Sequence, residues 1–145
     1  MTTVRQSGWR SLSTTDRRTL LLLAMLQPLI SASLRISGYA NTKRRLQWLS
    51  RHPTPRTANA TDLEQANQLA RFAAIAGRRS PLQTTCLRQA LAIHFLLRRK
   101  GLDPRIKFGV RHPGSHPEMH AWVELEGSPL DPTANAYAWF ARTQH

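Results

Sequence analysis

Cysteine is nearly absent from this chain: there is one, Cys86, in 145 residues. A single thiol excludes an internal disulfide framework and a cysteine-rich zinc site. It fits a reducing compartment, so a cytoplasmic location is expected. Acidic residues are scarce as well, 8 Asp plus Glu against 21 Lys plus Arg, for a net charge of +13. The imbalance is steepest at the start, where residues 1–60 carry ten basic side chains and a single acidic one, Asp16. That region is the expected surface for an acidic partner; nucleic acid, anionic lipid and an acidic protein all fit the description. Long apolar runs are missing too. Leu20 to Leu26 is the most apolar stretch and stops at Gln27-Pro28, short of the roughly 18–20 residues that a membrane span needs, so no span is expected. Two arginines precede it, as in a signal peptide. The approach contains Asp16, however, and Ser31-Ala32-Ser33 is a loose cleavage match, so the stretch is read as part of the folded protein.

What is present amounts to about one domain. Ser13 and Asp16 resemble a capping box opening a helix from Thr14 to Gln27, which Pro28 breaks or kinks. Leu29 to Ile36 reads as a second helical piece ending before Gly38. Asn41 to Ser50 mixes Lys43, Arg44 and Arg45 with Leu46, Trp48 and Leu49, a surface helix with one packed side or a docking face for a partner. His52 to Ala60, with Pro53 and Pro55, reads as a linker. The chain therefore divides into a basic helical region, 1–60, and a core, 61–145.

Within the core, Thr61 with Glu64 at the capping-box position opens a helix whose apolar residues, Leu63, Ala66, Leu69, Ala70, Ala73 and Ala74, recur at helical spacing. It is expected to end near Gly77. Thr84 or Thr85 then caps a helix from Cys86 to Lys100, with Gly101 as its stop. Arg105 to Arg111 alternates as a half-buried strand. Met119 to Glu126 is the next strand, with His120, Trp122 and Glu124 on one face. Glu126-Gly127 is a turn, and Ser128 to Asp131 begins a paired strand. Tyr137, Trp139 and Phe140 are expected to pack back on the domain. Helices, a central helix and then an antiparallel sheet make an α+β layout.

The chemistry concentrates between Cys86 and Asp131. Thiols attack carbonyls as thiolates, and a free cysteine holds little thiolate at neutral pH. A helix N-terminus favours negative charge at Cys86, a nearby imidazole takes the proton, and unpaired N–H groups of the first helical turn stabilise an oxyanion. A carboxylate fixes the tautomer of the imidazole. His120 supplies the imidazole, and Asp131 is the preferred carboxylate over Glu124 and Glu126. Gln83 is a further polar group just upstream of the thiol, either an oxyanion donor or a solvated loop residue. The competing structural reading of Cys86 is a small hydrophobe at the first turn of a core helix.

The segments Thr85-Cys86-Leu87-Arg88-Gln89-Ala90-Leu91-Ala92, Leu96-Leu97-Arg98-Arg99-Lys100-Gly101-Leu102, Phe108-Gly109-Val110-Arg111 and His120-Ala121-Trp122-Val123-Glu124-Leu125-Glu126-Gly127 resemble the transglutaminase-like leader peptidases of lasso-peptide biosynthesis, the microcin-maturation type of cysteine protease. The resemblance covers roughly Leu69 to Pro132. It implies a papain/transglutaminase-like core, hydrolysis of one peptide bond that frees a ribosomally made precursor from its leader peptide, and no cofactor. It gives Cys86 as nucleophile, His120 as general base and acid, and Asp131 as orienter. It also implies a separate leader-recognition protein, since the first 60 residues read as helices, and a lasso cyclase as the next partner.

Three rivals remain at this level. Transglutaminase-like sites also transfer an acyl group to an amine. A net charge of +13 with Trp9, Trp48 and Lys43 to Arg45 suits nucleic acid, although no nucleic-acid motif is present and no nucleic-acid partner is expected. His112, His116 and His120 are spaced by four like metal ligands on a helix, but Pro113 and Pro117 deny that helix, so no metal is expected.

Overall fold

The computed structural model describes residues 13–51, 54–79, 86–112, 114–131, 134 and 138–139. Three helices, α1 (Thr14–Leu49), α2 (Ala60–Arg79) and α3 (Cys86–Arg99), precede four strands, β1 (Arg105–Arg111), β2 (Glu118–Leu125), β3 (Ser128–Pro129) and β4 (Ala138–Trp139). The strands form one sheet in the order β3-β2-β1-β4. The α+β layout is as the sequence implied.

α3 is the centre of the molecule. It packs on α1, α2, β1 and β2, and every residue from Ala90 to Leu97 is buried. Leu91 and Leu97 are fully enclosed, as are Leu23 of α1 and Leu125 of β2. Burying a leucine side chain contributes about 1.5–3 kcal/mol, so this shared cluster supplies much of the stability. The helix closes on a Schellman motif: the Leu102 N–H donates to Leu97 C=O at 3.2 Å and the Gly101 N–H to Arg98 C=O at 2.9 Å. Gly101 sits at φ 84°, the left-handed geometry that this stop requires. His94 is buried at 4 % exposure. Burial first, then the positive charges of Arg98 and Lys43, push its pKa down to about 4 against a hydrogen bond to the Pro104 backbone, so it is neutral.

α1 departs from the sequence expectation. Ser13 caps it, its Oγ accepting the Asp16 N–H at 3.1 Å, but Pro28 lies inside a helix that continues past it. The lost backbone bond is offset by burial of Leu20, Leu23 and Ile30 against α2 and α3. The real interruption is Gly38, at φ 77° and ψ 175°. By length and composition α1 is also apolar enough to cross a membrane; breaking it at Pro28 hid that. Here one side of it packs into the core. Lys43 is half-buried with its ammonium 5.8 Å from the Tyr39 ring, so Arg44 and Arg45 are the outward charges of the basic segment.

α2 begins earlier than expected. Its cap is Asn59, not Thr61: Asn59 Oδ1 accepts the Asp62 N–H at 2.9 Å, and Asp62 Oδ2 accepts the Asn59 N–H at 3.0 Å. Asparagine caps as well as serine does. Asp62 also receives both Arg56 guanidinium nitrogens, at 2.5 and 3.0 Å. The Arg56 bond first, and then the Asn59 backbone, hold its carboxyl at about 2. α2 runs to Arg79, past Gly77.

β1 and β2 pair antiparallel, with Phe108 opposite Ala121 and Gly109 opposite His120. Glu126 and Gly127, at φ 52° and 77°, form a two-residue turn with both central residues left-handed. The turn sets Leu125 opposite Ser128 and Glu124 opposite Pro129. Trp139, expected in a tail that packs back on the domain, does so as part of a strand: Ala138–Trp139 pairs with β1 at Val110 and Gly109. Tyr137 and Phe140 lie outside the described residues.

Candidate active site

Cys86 is the first residue of α3 and is half-buried. At that position its side chain stands beside backbone N–H groups that have no partner within the helix. The preceding cap candidates, Thr84 and Thr85, and the proposed donor Gln83 lie outside the described residues. Gln89, Ala90 and Ile93 follow Cys86 at i+3, i+4 and i+7, one helix face, and all four line a single cavity of about 460 Å³.

The opposite wall comes from the sheet. His120, Ala121, Trp122 and Val123 of β2 line the cavity, with Leu130 and Asp131 just past β3. The β-turn at Glu126-Gly127 explains Asp131. The register that pairs Glu124 with Pro129 continues through the Leu130 N–H, which donates to Val123 C=O at 2.9 Å. One more step sets Asp131 across from Trp122. Side chains alternate along a strand and diagonal cross-strand neighbours lie within reach, so Asp131 shares a face with His120. Its Oδ2 is hydrogen bonded to His120 Nε2. The Trp122 ring stacks on the imidazole, with centroids 5.9 Å apart and planes at 29°.

The structure therefore brings Cys86, His120 and Asp131 into one cavity. The other acids are engaged elsewhere: Glu124 Oε1 accepts a long 3.5 Å bond from Trp122 Nε1, and Glu126 Oε1 accepts the Ala58 N–H at 3.0 Å. His112 and His116 are exposed outside the strands, and no His/Cys/Asp/Glu cluster fit for a metal occurs among the described residues. His94 is a core histidine apart from the cavity.

Sequence reading missed the third wall. Ala70, Arg71 and Ala74 of α2 line the cavity together with Cys86, and Arg71 is exposed. The alanines were legible as the apolar face of a helix, but nothing in the sequence said that this face partly borders open space. Gln89 was legible from its spacing to Cys86, and Trp122 from sharing a strand face with His120.

The carboxylate at Nε2 fixes the orientation of the imidazole within the cavity. A thiol at a helix start, an oriented imidazole and a cavity large enough for a few side chains are the parts needed for acyl chemistry. No curated protein and no solved structure matches the chain. A family model described as transglutaminase-like superfamily matches residues 29–144, from within α1 through the sheet, and the chain belongs to that superfamily.

Proposed function

We propose that this protein is a cysteine peptidase that hydrolyses the leader peptide from a ribosomally synthesised lasso-peptide precursor. The observation that carries the reading is the His120–Asp131 hydrogen bond inside the cavity that also holds Cys86. Cys86 Sγ adds to the scissile carbonyl carbon while His120 takes the thiol proton. The oxyanion forms beside the N–H groups of the first turn of α3. Collapse breaks the C–N bond, and the imidazolium gives its proton to the leaving amine. Water, deprotonated by His120, then hydrolyses the thioester and releases the acid and the thiol. Asp131 holds the imidazole tautomer and stabilises its charged form.

The precursor is held by a separate leader-recognition protein, and the freed core passes to a lasso cyclase. The basic face presented by Arg44 and Arg45 suits an acidic partner surface. The reading is tested by mass spectrometry of a candidate precursor with this protein and its leader-recognition partner, beside Cys86→Ala. One cleavage that requires Cys86 supports it. An amide-linked adduct in place of two fragments moves the activity to acyl transfer. An unchanged precursor returns Cys86 to the core.

A further inference from the structure

α1 has two faces. Leu20, Leu23, Gln27, Ile30 and Ser31 are buried. On the other side Leu21, Leu22, Met25, Leu29 and Ile36 are 55, 41, 67, 65 and 84 % exposed. At 3.6 residues per turn these five fall within an arc of about 100° and a length of about 22 Å. A continuous exposed stripe of this kind on a folded domain marks a contact surface.

Charge and polarity narrow the occupant. The stripe is bracketed by Arg18 and Arg35, both exposed, and no acidic residue occurs anywhere between Arg17 and Thr61. A second copy packed on the stripe sets arginine against arginine in either orientation, and the one carboxylate of α1, Asp16, lies on the opposite side of the helix, where Gln68 Nε2 of α2 donates to it at 3.5 Å. Between the arginines the surface is hydrocarbon, completed by Pro28 and Ala32. The nearest hydroxyl, Ser33, is already bonded to Thr42 at 2.8 Å. A protein interface normally carries about one hydrogen bond per 100–200 Å², and the middle of this stripe offers none. Apolar side chains lying in one plane with basic ends are the pattern of a helix resting in the headgroup boundary of a bilayer.

We propose that the outer face of α1 docks this protein peripherally on an anionic lipid surface. The helix lies in the interface and does not span it, because its opposite face is committed to α2 and α3. The cavity is walled by α2, α3, β2 and the segment after β3, so a docked molecule keeps its site open to peptide. The proposal stands independently of the peptidase reading.

The test is sedimentation of the full chain with phosphatidylglycerol-containing vesicles and with pure phosphatidylcholine vesicles, for the natural protein and for the double variant Met25→Ser, Leu29→Ser. Both positions are exposed, so the variant retains its thermal melt. The natural protein partitions onto the anionic vesicles and the double variant loses that partition by at least about tenfold, while Met25→Leu with Leu29→Met retains it. Equal sedimentation of natural protein and serine variant would show simple attraction of a basic protein to negative charge and overturn the proposal. A lipid-free dimer or protein complex that the serine variant abolishes, with no vesicle binding, would assign the stripe to protein and overturn it equally.

Discussion

His94 couples the stability of the core to pH. It sits in the fully buried part of α3 at 4 % exposure, and its pKa falls from 6.5 to about 4, chiefly through burial and then through Arg98 and Lys43. The folded state holds it neutral while the unfolded chain binds a proton below pH 6.5, so the depressed value favours folding fully above pH 6.5. That contribution is lost as pH falls from 6.5 toward 4. At about 1.4 kcal/mol per pH unit, the loss is about 3 kcal/mol, a large share of a typical domain stability. Urea unfolding of the natural protein and of His94→Gln at pH 7 and pH 4 isolates it. Glutamine donates to the Pro104 carbonyl but does not titrate, so the difference between the two proteins should shrink or reverse by about 3 kcal/mol toward pH 4. Every other group is common to the two proteins and cancels in the difference. A difference that is the same at both pH values would refute the reasoning.

Asp131→Asn is expected to leave the melting temperature nearly unchanged and lower the turnover of any Cys86-dependent reaction by about 10³-fold, read as kcat with KM little altered; a full-rate variant removes Asp131 from the mechanism. Leu97→Ala, at a fully enclosed position, should cost about 2–5 kcal/mol in urea unfolding, and a cost below 1 kcal/mol would mean that α3 is not the centre of the core. Arg56→Ala should shift acid unfolding to higher pH, because Asp62 at about 2 contributes stability that is present above its ordinary value near 4 and lost as pH falls through 2; an unchanged acid midpoint contradicts this. Arg44→Glu with Arg45→Glu should weaken capture of the leader-recognition complex in a pull-down without changing the melt.

The hairpin was legible because its geometry depends on counting. A Glu-Gly turn followed by Ser-Pro sets the register of β2 and β3, and parity alone then puts Asp131 on the face of His120. α3 was legible because Gly101 and the arginines before it mark its end. What failed to show depends on partners far away in sequence. The cap of α2 moved to Asn59 because Asp62 has a second partner in Arg56, and β4 exists because β1 offers it an edge. The cavity wall at Ala70 and Ala74 is the same kind of case, since a helix pattern specifies an apolar face but not whether protein or space lies against it.

α1 carries this point furthest. Four consecutive leucines, Leu20 to Leu23, give no phase by themselves, and a helix drawn through them from hydrophobicity alone faces all ways. The buried side is marked by a polar residue, Gln27, at 1 % exposure. Its Nε2 donates to the Ala73 carbonyl of α2 at 3.1 Å, and that bond offsets part of the cost of enclosing an amide. A pattern reader places glutamine outward and the leucines inward, which rotates the helix by about half a turn. The rotation hides the exposed Leu21, Leu22, Met25 and Leu29 in an imagined core and removes the surface that this helix presents. Replacing Gln27 with leucine leaves the Ala73 carbonyl without its side-chain donor but also removes a buried amide, so its effect on stability is expected to be small, under about 1.5 kcal/mol. Gln27→Ala, which opens a void as well, should cost more, and the order of the two in urea unfolding reports whether shape or the hydrogen bond fixes the phase of α1.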